Sequence, residues 1–230
     1  METLFNGYTL DIAAGTFPLS TDSIALADFV RLPKNADVLD FGSGCGTLGI
    51  LLCAKDPKCR VTGVELDENA HKKALENAAR NHLESRLNSI CSDLTVIPEF
   101  LSQGSFDICV SNPPYFTSGK LSQTVPQARH ELSCTLDALL RSAAWALKYG
   151  GDFYVVHKPE RLAELFVSAA TVKLEPKRIC LLRHRPDGPV ALVLLQFRKG
   201  AKPGLIWEDI VLKDNNGNPS EDYKRIYHQT

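Results

Sequence analysis

Four consecutive residues, Asn112, Pro113, Pro114 and Tyr115, lie near the end of the stretch SFDICVSNPPYF at 105–116. The amide oxygen of Asn112 and the backbone carbonyl of Pro113 are two acceptors that an amino group on an aromatic ring or a carbonyl could satisfy with its two hydrogens. Such a nitrogen is a weak nucleophile, because its lone pair is delocalised. Hydrogen bonds that draw it toward tetrahedral geometry point that lone pair at an electrophile. The two prolines stiffen the carbonyl array, since neither has a mobile φ. Tyr115 offers a face for a planar target and Phe116 a second one; stacking a base on an aromatic ring contributes about 1–3 kcal/mol. In isolation the same tetrapeptide reads as a turn, because Asn-Pro and Pro-Pro are common loop punctuation.

A second constellation lies upstream. The run DFGSGCGTLG at 40–49 follows an apolar strand pattern and opens a helical one. Gly42, Gly44 and Gly46 allow a sharp turn that presents backbone amides beside a helix N-terminus, where a nucleotide-type cofactor could approach without meeting a Cβ. Glu65 closes the next strand pattern, where a carboxylate can accept both hydroxyls of a ribose. Gly44, Gly46 and Gly49 also spell GxGxxG, so the loop alone does not separate a nicotinamide cofactor from S-adenosylmethionine. The Asn112–Tyr115 tetrapeptide separates them, because hydride transfer has no use for it.

The elements that must position these residues alternate in type. ADVLDF (36–41), CRVTGVEL (59–66), LNSICS (87–92), FDICVS (106–111) and DFYVVH (152–157) read as buried strands. Between them lie the helical patterns TLGILLCAK, DENAHKKALENAARNHL and CTLDALLRSAAWALKYGG, the last with Gly150 and Gly151 as its stop. Alternation of this kind implies a parallel, doubly wound α/β sheet. KRICLLRHR (177–185) and VALVLLQFRK (190–199), separated by PDGP, read as an antiparallel hairpin that brings the mixed sheet to seven strands. Ahead of the first strand, Ser20, Thr21 or Asp22 could cap a helix. The expected organisation is a single domain over 1–230: an N-terminal helical element (1–35), a core (36–200) and a polar, loosely docked tail (201–230).

Composition narrows the class. With 230 residues, 44% hydrophobic and 23% charged, the chain matches ordinary soluble globular usage. No apolar run reaches the roughly 18–20 residues that span a bilayer, so a cytoplasmic protein with no membrane association is expected. The seven cysteines (45, 53, 59, 91, 109, 134, 180) contain no CxxC pair, and His157 and His184 have no ligand spacing, so no metal is expected. Trp145 and Trp207 read as packing residues. Net charge of −1 hides an asymmetry: residues 1–115 carry 9 basic and 15 acidic side chains, and 116–230 carry 17 and 12. The basic excess is densest at 177–202, where Arg183 and Arg185 are candidates to track a phosphate backbone; a solvated basic surface is the alternative. Arg129, His130 and Glu131 read either as a capped helix start or as an RNA-contacting loop.

On DFGSGCG, GVELD, CSDL and SNPPYF, together with TDSIALADF, ARHE and GGDFYVVHKPERL, the chain resembles the class I S-adenosylmethionine-dependent amino-methyltransferases of the (N/D)PPY group. Within them it resembles the bacterial tRNA1(Val) adenine-N6 methyltransferases and their Gram-positive relatives. The resemblance covers nearly the whole chain. It implies a Rossmann-like methyltransferase sheet with S-adenosyl-L-methionine as cofactor and S-adenosyl-L-homocysteine as product, no obligate protein partner, and RNA, a tRNA near its anticodon, as substrate. It also implies roles. Asp40 with the backbone of Gly42 and Gly44 would hold the methionine portion, bordered by Thr21 and Asp22. Glu65 would hold the ribose and Asp93 the cofactor's adenine amine, while Asn112, Pro113, Pro114 and Tyr115 would hold the target base. A helix cap is the other role open to Thr21, Asp22 and Asp93.

Competing readings keep or change the chemistry. Protein-glutamine methyltransferases of translation release factors share the motif but carry an N-terminal helical domain, whereas about 35 residues precede the first strand here. A DNA or ribosomal RNA adenine methyltransferase, an RNA-binding module with a vestigial pocket, and a nicotinamide dehydrogenase complete the alternatives.

Overall fold

Apolar strands that are covered on both faces form a parallel sheet between helical layers. The computed structural model, which describes residues 2–4, 7–13, 18–113 and 135–228, has this form. In chain order the elements are β1 (Glu2–Thr3), β2 (Thr9–Leu10), α1 (Thr21–Phe29), β3 (Asp37–Phe41), α2 (Thr47–Lys55), β4 (Arg60–Glu65), α3 (Glu68–Arg80), β5 (Leu87–Cys91), a 3₁₀ turn (Leu94–Glu99) and β6 (Phe106–Ser111). They continue with α4 (Leu136–Ala146), β7 (Leu147–His157), a 3₁₀ turn (Pro159–Arg161), α5 (Leu162–Thr171), β8 (Leu174–Arg183), β9 (Val190–Lys199), β10 (Ile206–Val211) and α6 (Glu221–Ile226).

β1 and β2 pair by themselves, and the other eight strands form one sheet in the order β10-β8-β9-β7-β6-β3-β4-β5. Only β9 runs against its neighbours. Strand order reverses between β3 and β6, and the crevice outside the carboxyl ends of such strands is where open α/β sheets bind ligands. Side chains alternate across the sheet with period two. Val38, Ile108, Val110, Tyr154 and Val156 pack with α1 and α2 on one face. Leu39, Cys109, Phe153 and Val155 pack with α4 and α5 on the other.

Three sequence expectations need correction. Among the described residues the sheet has eight strands, not seven, because β10 adds to the β8 edge in parallel. Its sequence IWEDIV buries only Ile210, so the apolar run that marks an interior strand is missing. The expected loose tail is, over its described residues 201–228, docked: α6 returns to α1, with Ile226 1% exposed and Arg225 paired to Asp28. Finally, Gly150 and Gly151 do not stop a helix. α4 ends at Ala146, and both glycines lie inside β7, where the register with β6 shifts. Trp145 packs against the second core, as expected, but Trp207 on the edge strand is 61% exposed.

Candidate active site

Asp40, Glu65, Asp93 and Asn112 arrive together because they lie at or just beyond the carboxyl ends of four adjacent strands, β3, β4, β5 and β6. After β3 the chain turns through Gly42 and Gly44, both at positive φ (67° and 54°), and a Cβ built on either would meet open space. Left-handed backbone, rather than crowding, is therefore what asks for glycine there. The turn lies close over β4: the Ser43 hydroxyl lies 2.5 Å from where a Cβ on Gly63 would stand, so β4 must be bare at that point.

The sequence reading expected the loop to present its amides to a ligand. Instead, Gly42 and Ser43 donate to the Val64 carbonyl at 2.9 and 3.2 Å, and Gly44 donates to Glu65 Oε2 at 2.7 Å. The Ser43 and Cys45 carbonyls accept from the Gly46 amide and from Asn77 Nδ2, both at 2.9 Å, and the turn at Gly42 and Gly44 carries no side chain. Glu65 is pinned on both sides, since its Oε1 accepts the Asp67 amide at 2.8 Å. One backbone bond per oxygen leaves each with acceptor capacity for a hydroxyl.

Asp40 is 1% exposed, and among the described residues neither carboxylate oxygen has a hydrogen-bond partner. Burial, reinforced by the Glu65 carboxylate, pushes its pKa up to about 8. A carboxylate desolvated in this way becomes favourable once a cation is brought against it. The donor set therefore fits the cationic methionine end of S-adenosylmethionine, with Glu65 disposed toward a diol. Asp93 caps the 3₁₀ turn after β5, its Oδ1 accepting both the amide and the hydroxyl of Thr95 at 2.8 Å. Capping thus takes one oxygen.

Asn112 follows Ser111, which pairs in register with Phe41 and donates its hydroxyl to the Phe41 carbonyl at 2.9 Å. That tie fixes the end of β6 against the mouth of the glycine loop. Asn112 is half-buried, and its Nδ2 donates to Ser23 Oγ on α1 at 3.0 Å. Pro113 is buried. Pro114, Tyr115, Phe116 and the Arg129–Glu131 cluster lie outside the described residues. Of the α1 candidates, Thr21 shares a hydrogen bond with the Tyr227 hydroxyl at 2.8 Å and Asp22 lies in the first turn, but the cap is Ser20.

Several positioning residues escaped the sequence reading. Asn77, fully buried on α3, donates to the carbonyls of Cys45 (2.9 Å) and Asp11 (2.8 Å), while Asn81 holds Thr9 through both its backbone groups. These two amides tie the N-terminal segment to the glycine loop. Their spacing on one helix face was visible, but what they bond lies 32 to 72 residues away.

Three cations of the basic stretch at 177–202 are paired with acids. Arg178 holds Glu208 with two bonds of 2.8 Å, Arg183 pairs with Asp209, and Arg198 pairs with Asp152. Arg183, a candidate phosphate contact, thus has an acid on β10 as its partner. Arg185 is exposed in the β8–β9 turn, which lies at the same end of the sheet as Asn112. A groove of about 700 Å³ at the opposite end includes Arg31, Lys148, Arg178 and Arg198, and these cations are already paired with Asp107, Asp152 and Glu208.

Residues 18–175, which carry every element of this site, match the family model described as methyltransferase small domain. The chain belongs to that family. Several relatives of this methyltransferase are named tRNA1(Val) (adenine(37)-N6)-methyltransferase. The one from Shewanella halifaxensis is 30% identical over 182 residues, 78% of this chain and 72% of the relative. Those from Pseudoalteromonas translucida and Vibrio parahaemolyticus are 28% and 27% identical, covering 89% and 98% of this chain and 87% and 93% of theirs. Among solved structures, a predicted O-methyltransferase from Agrobacterium tumefaciens superposes with a TM-score of 0.75 at 19% identity, covering 91% of this chain and 96% of that one. A methyltransferase from Pyrococcus furiosus gives 0.65 at 21% identity, covering 86% and 91%. These two establish the fold. Among the described residues of this methyltransferase, no helix is long and apolar enough to cross a membrane.

Proposed function

We propose that this methyltransferase uses S-adenosylmethionine to methylate the exocyclic N6 amine of adenine in RNA, a tRNA near its anticodon, in the cytoplasm. The observation that carries the reading is the placement of Asn112 and Pro113 just after β6, directly beside β3, which carries Asp40 and leads into the glycine loop. The names of the relatives support the substrate class.

When bound, S-adenosylmethionine supplies an electrophilic sulfonium methyl. Asp40 and the backbone of Gly42 and Gly44 would hold its methionine end, Glu65 its ribose, and Asp93 its adenine; Gly46 would keep the turn bare. Asn112 Oδ1 and the Pro113 carbonyl accept the two hydrogens of the target amine and hold its lone pair toward the methyl group. Pro114 stiffens that carbonyl array, and Tyr115 and Phe116 stack on the base. The N–H proton is lost to water after transfer, so positioning is the main contribution of the chain. An anticodon-loop base is already unpaired and is extruded at lower cost than a duplex base. Arg185 contacts the RNA backbone.

The test is transfer of labelled methyl by the purified protein to unmodified total tRNA in one tube and to a protein lysate in the other, with nucleoside and amino-acid analysis of the products. Label in N6-methyladenosine is expected. Label in protein glutamine, or in neither, overturns the RNA reading.

A further inference from the structure

We infer that Ser23 is a positioning residue that holds the Asn112 amide with its oxygen toward the substrate, by giving Nδ2 a fixed acceptor. The inference rests on the reading above in one respect only, that Asn112 works through its oxygen. A carboxamide is nearly symmetric in shape and opposite in chemistry at its two ends: one is an acceptor, the other carries two donors. A half-turn about its last bond would present Nδ2 to an amine that needs an acceptor, and the site would repel what it must hold. A hydroxyl beside the amide can accept from Nδ2 or donate to Oδ1, so it does not choose the end by itself; it satisfies Nδ2 in the orientation that a bound amine requires. In the structure, Nδ2 donates to Ser23 Oγ at 3.0 Å, which directs Oδ1 away from α1.

Ser23 is suited to that task because α1 is held along its length. Its hydroxyl is buried, with the residue 7% exposed, and the next four residues, Ile24 to Ala27, are core. At the helix start Thr21 bonds Tyr227 at 2.8 Å. At the far end Lys55 Nζ gathers the carbonyls of Ala27, Asp28 and Val30 at 3.0, 2.7 and 2.6 Å, and Arg225 pairs with Asp28. The segment after β9, through α6, thereby helps to fix a serine that lies 89 residues from the asparagine it orients. A hydroxyl on a helix anchored at both ends is a fixed reference, whereas one on a loop would follow the amide.

Two readouts test this. In the protein without cofactor or RNA, the side-chain amide protons of Asn112, assigned by NMR in the wild type and by their loss in Asn112→Ala, should exchange slowly and speed up in Ser23→Ala. In methyl transfer, Ser23→Ala should lower kcat by roughly tenfold, the scale of one neutral hydrogen bond. KM for RNA and the affinity for S-adenosylhomocysteine should stay within about twofold, well inside that scale. Ser23→Thr, which keeps the hydroxyl, should recover most of kcat, and Ser23→Ala should add nothing to Asn112→Ala.

Unchanged amide exchange in Ser23→Ala overturns the inference whatever the substrate is. So does an altered exchange with an unchanged kcat, or a loss confined to KM. If the methyl goes to protein glutamine, the adenine reading fails, and Ser23 is judged by the same kcat ratio on that substrate. If the wild type transfers to neither, the functional reading fails together with a catalytic role for Ser23.

Discussion

On the β3–β5 side of the sheet, Asp40 is buried with neither oxygen bonded among the described residues, while on the β7–β10 side Arg178, 6% exposed, is bonded at all three guanidinium nitrogens. Arg178 also stacks 4.1 Å from the centroid of Phe29. One half therefore keeps a buried carboxyl waiting for a partner, and the other has used its charges to hold an edge strand and a terminal helix in place. Unsatisfied burial marks the place for a ligand. Satisfied burial marks construction, even where the sequence is strongly basic.

The comparison is broken most severely at the boundary between the halves. Asn112→Ala should lower kcat by about 10²-fold or more while S-adenosylhomocysteine binding stays nearly unchanged, the size of losing one aligned polar group in a preorganised site. Single-turnover kinetics beside calorimetry would show it. Asp40→Asn should weaken S-adenosylhomocysteine binding by roughly 10- to 10²-fold, the worth of a hydrogen bond to a charged group, and titration calorimetry reads this directly.

The raised pKa of Asp40 sharpens the contrast through pH. Its folded value of about 8 lies above the ordinary 3.8, so the unfolded chain loses this proton first as pH rises. Stability attached to this group is fully present below the ordinary value and is lost as pH climbs toward about 8. Thermal melts of Asp40→Asn should lose that part of the decline. Cofactor binding near neutrality should release a proton, because a cation beside Asp40 favours its ionised form; calorimetry in buffers of different ionisation enthalpy measures the count.

On the other half the effects are on stability. Arg178→Met should cost about 2–3 kcal/mol, the low side for a broken buried pair because the Glu208 side chain is 31% exposed. Chemical denaturation should report it with little change in cofactor affinity. The smallest effects separate two neighbouring arginines. Arg185→Ala should weaken RNA binding and reduce the slope of log K against log salt by about 1, whereas Arg183→Ala, whose partner is Asp209, should leave that slope unchanged.

Much of the site was legible because its signals are local. The glycine turn, the acid that ends the next strand and SNPPYF each fall within a few residues of a strand end, so periodicity placed them at one edge of the sheet. β10 was not legible, since an edge strand buries one face at most and IWEDIV lacks an apolar run. Charge pairing was not legible for a related reason. Composition counts Arg178, Arg183 and Arg198 but does not show that Glu208, Asp209 and Asp152 stand across from them on neighbouring strands.

The sequence by itself determined the alternation of elements, the end of the sheet at which the candidate side chains gather and the kind of chemistry they suit, because all three follow from short-range pattern and residue type. Only the tertiary structure decided which polar groups are spoken for. Gly44 gives its amide to Glu65, Asp40 keeps both oxygens unbonded among the described residues, and Asn112 turns its nitrogen to Ser23. Hydrogen bonds and ion pairs are made between atoms about 3 Å apart, whatever the distance along the chain, and that proximity exists only once the sheet has formed.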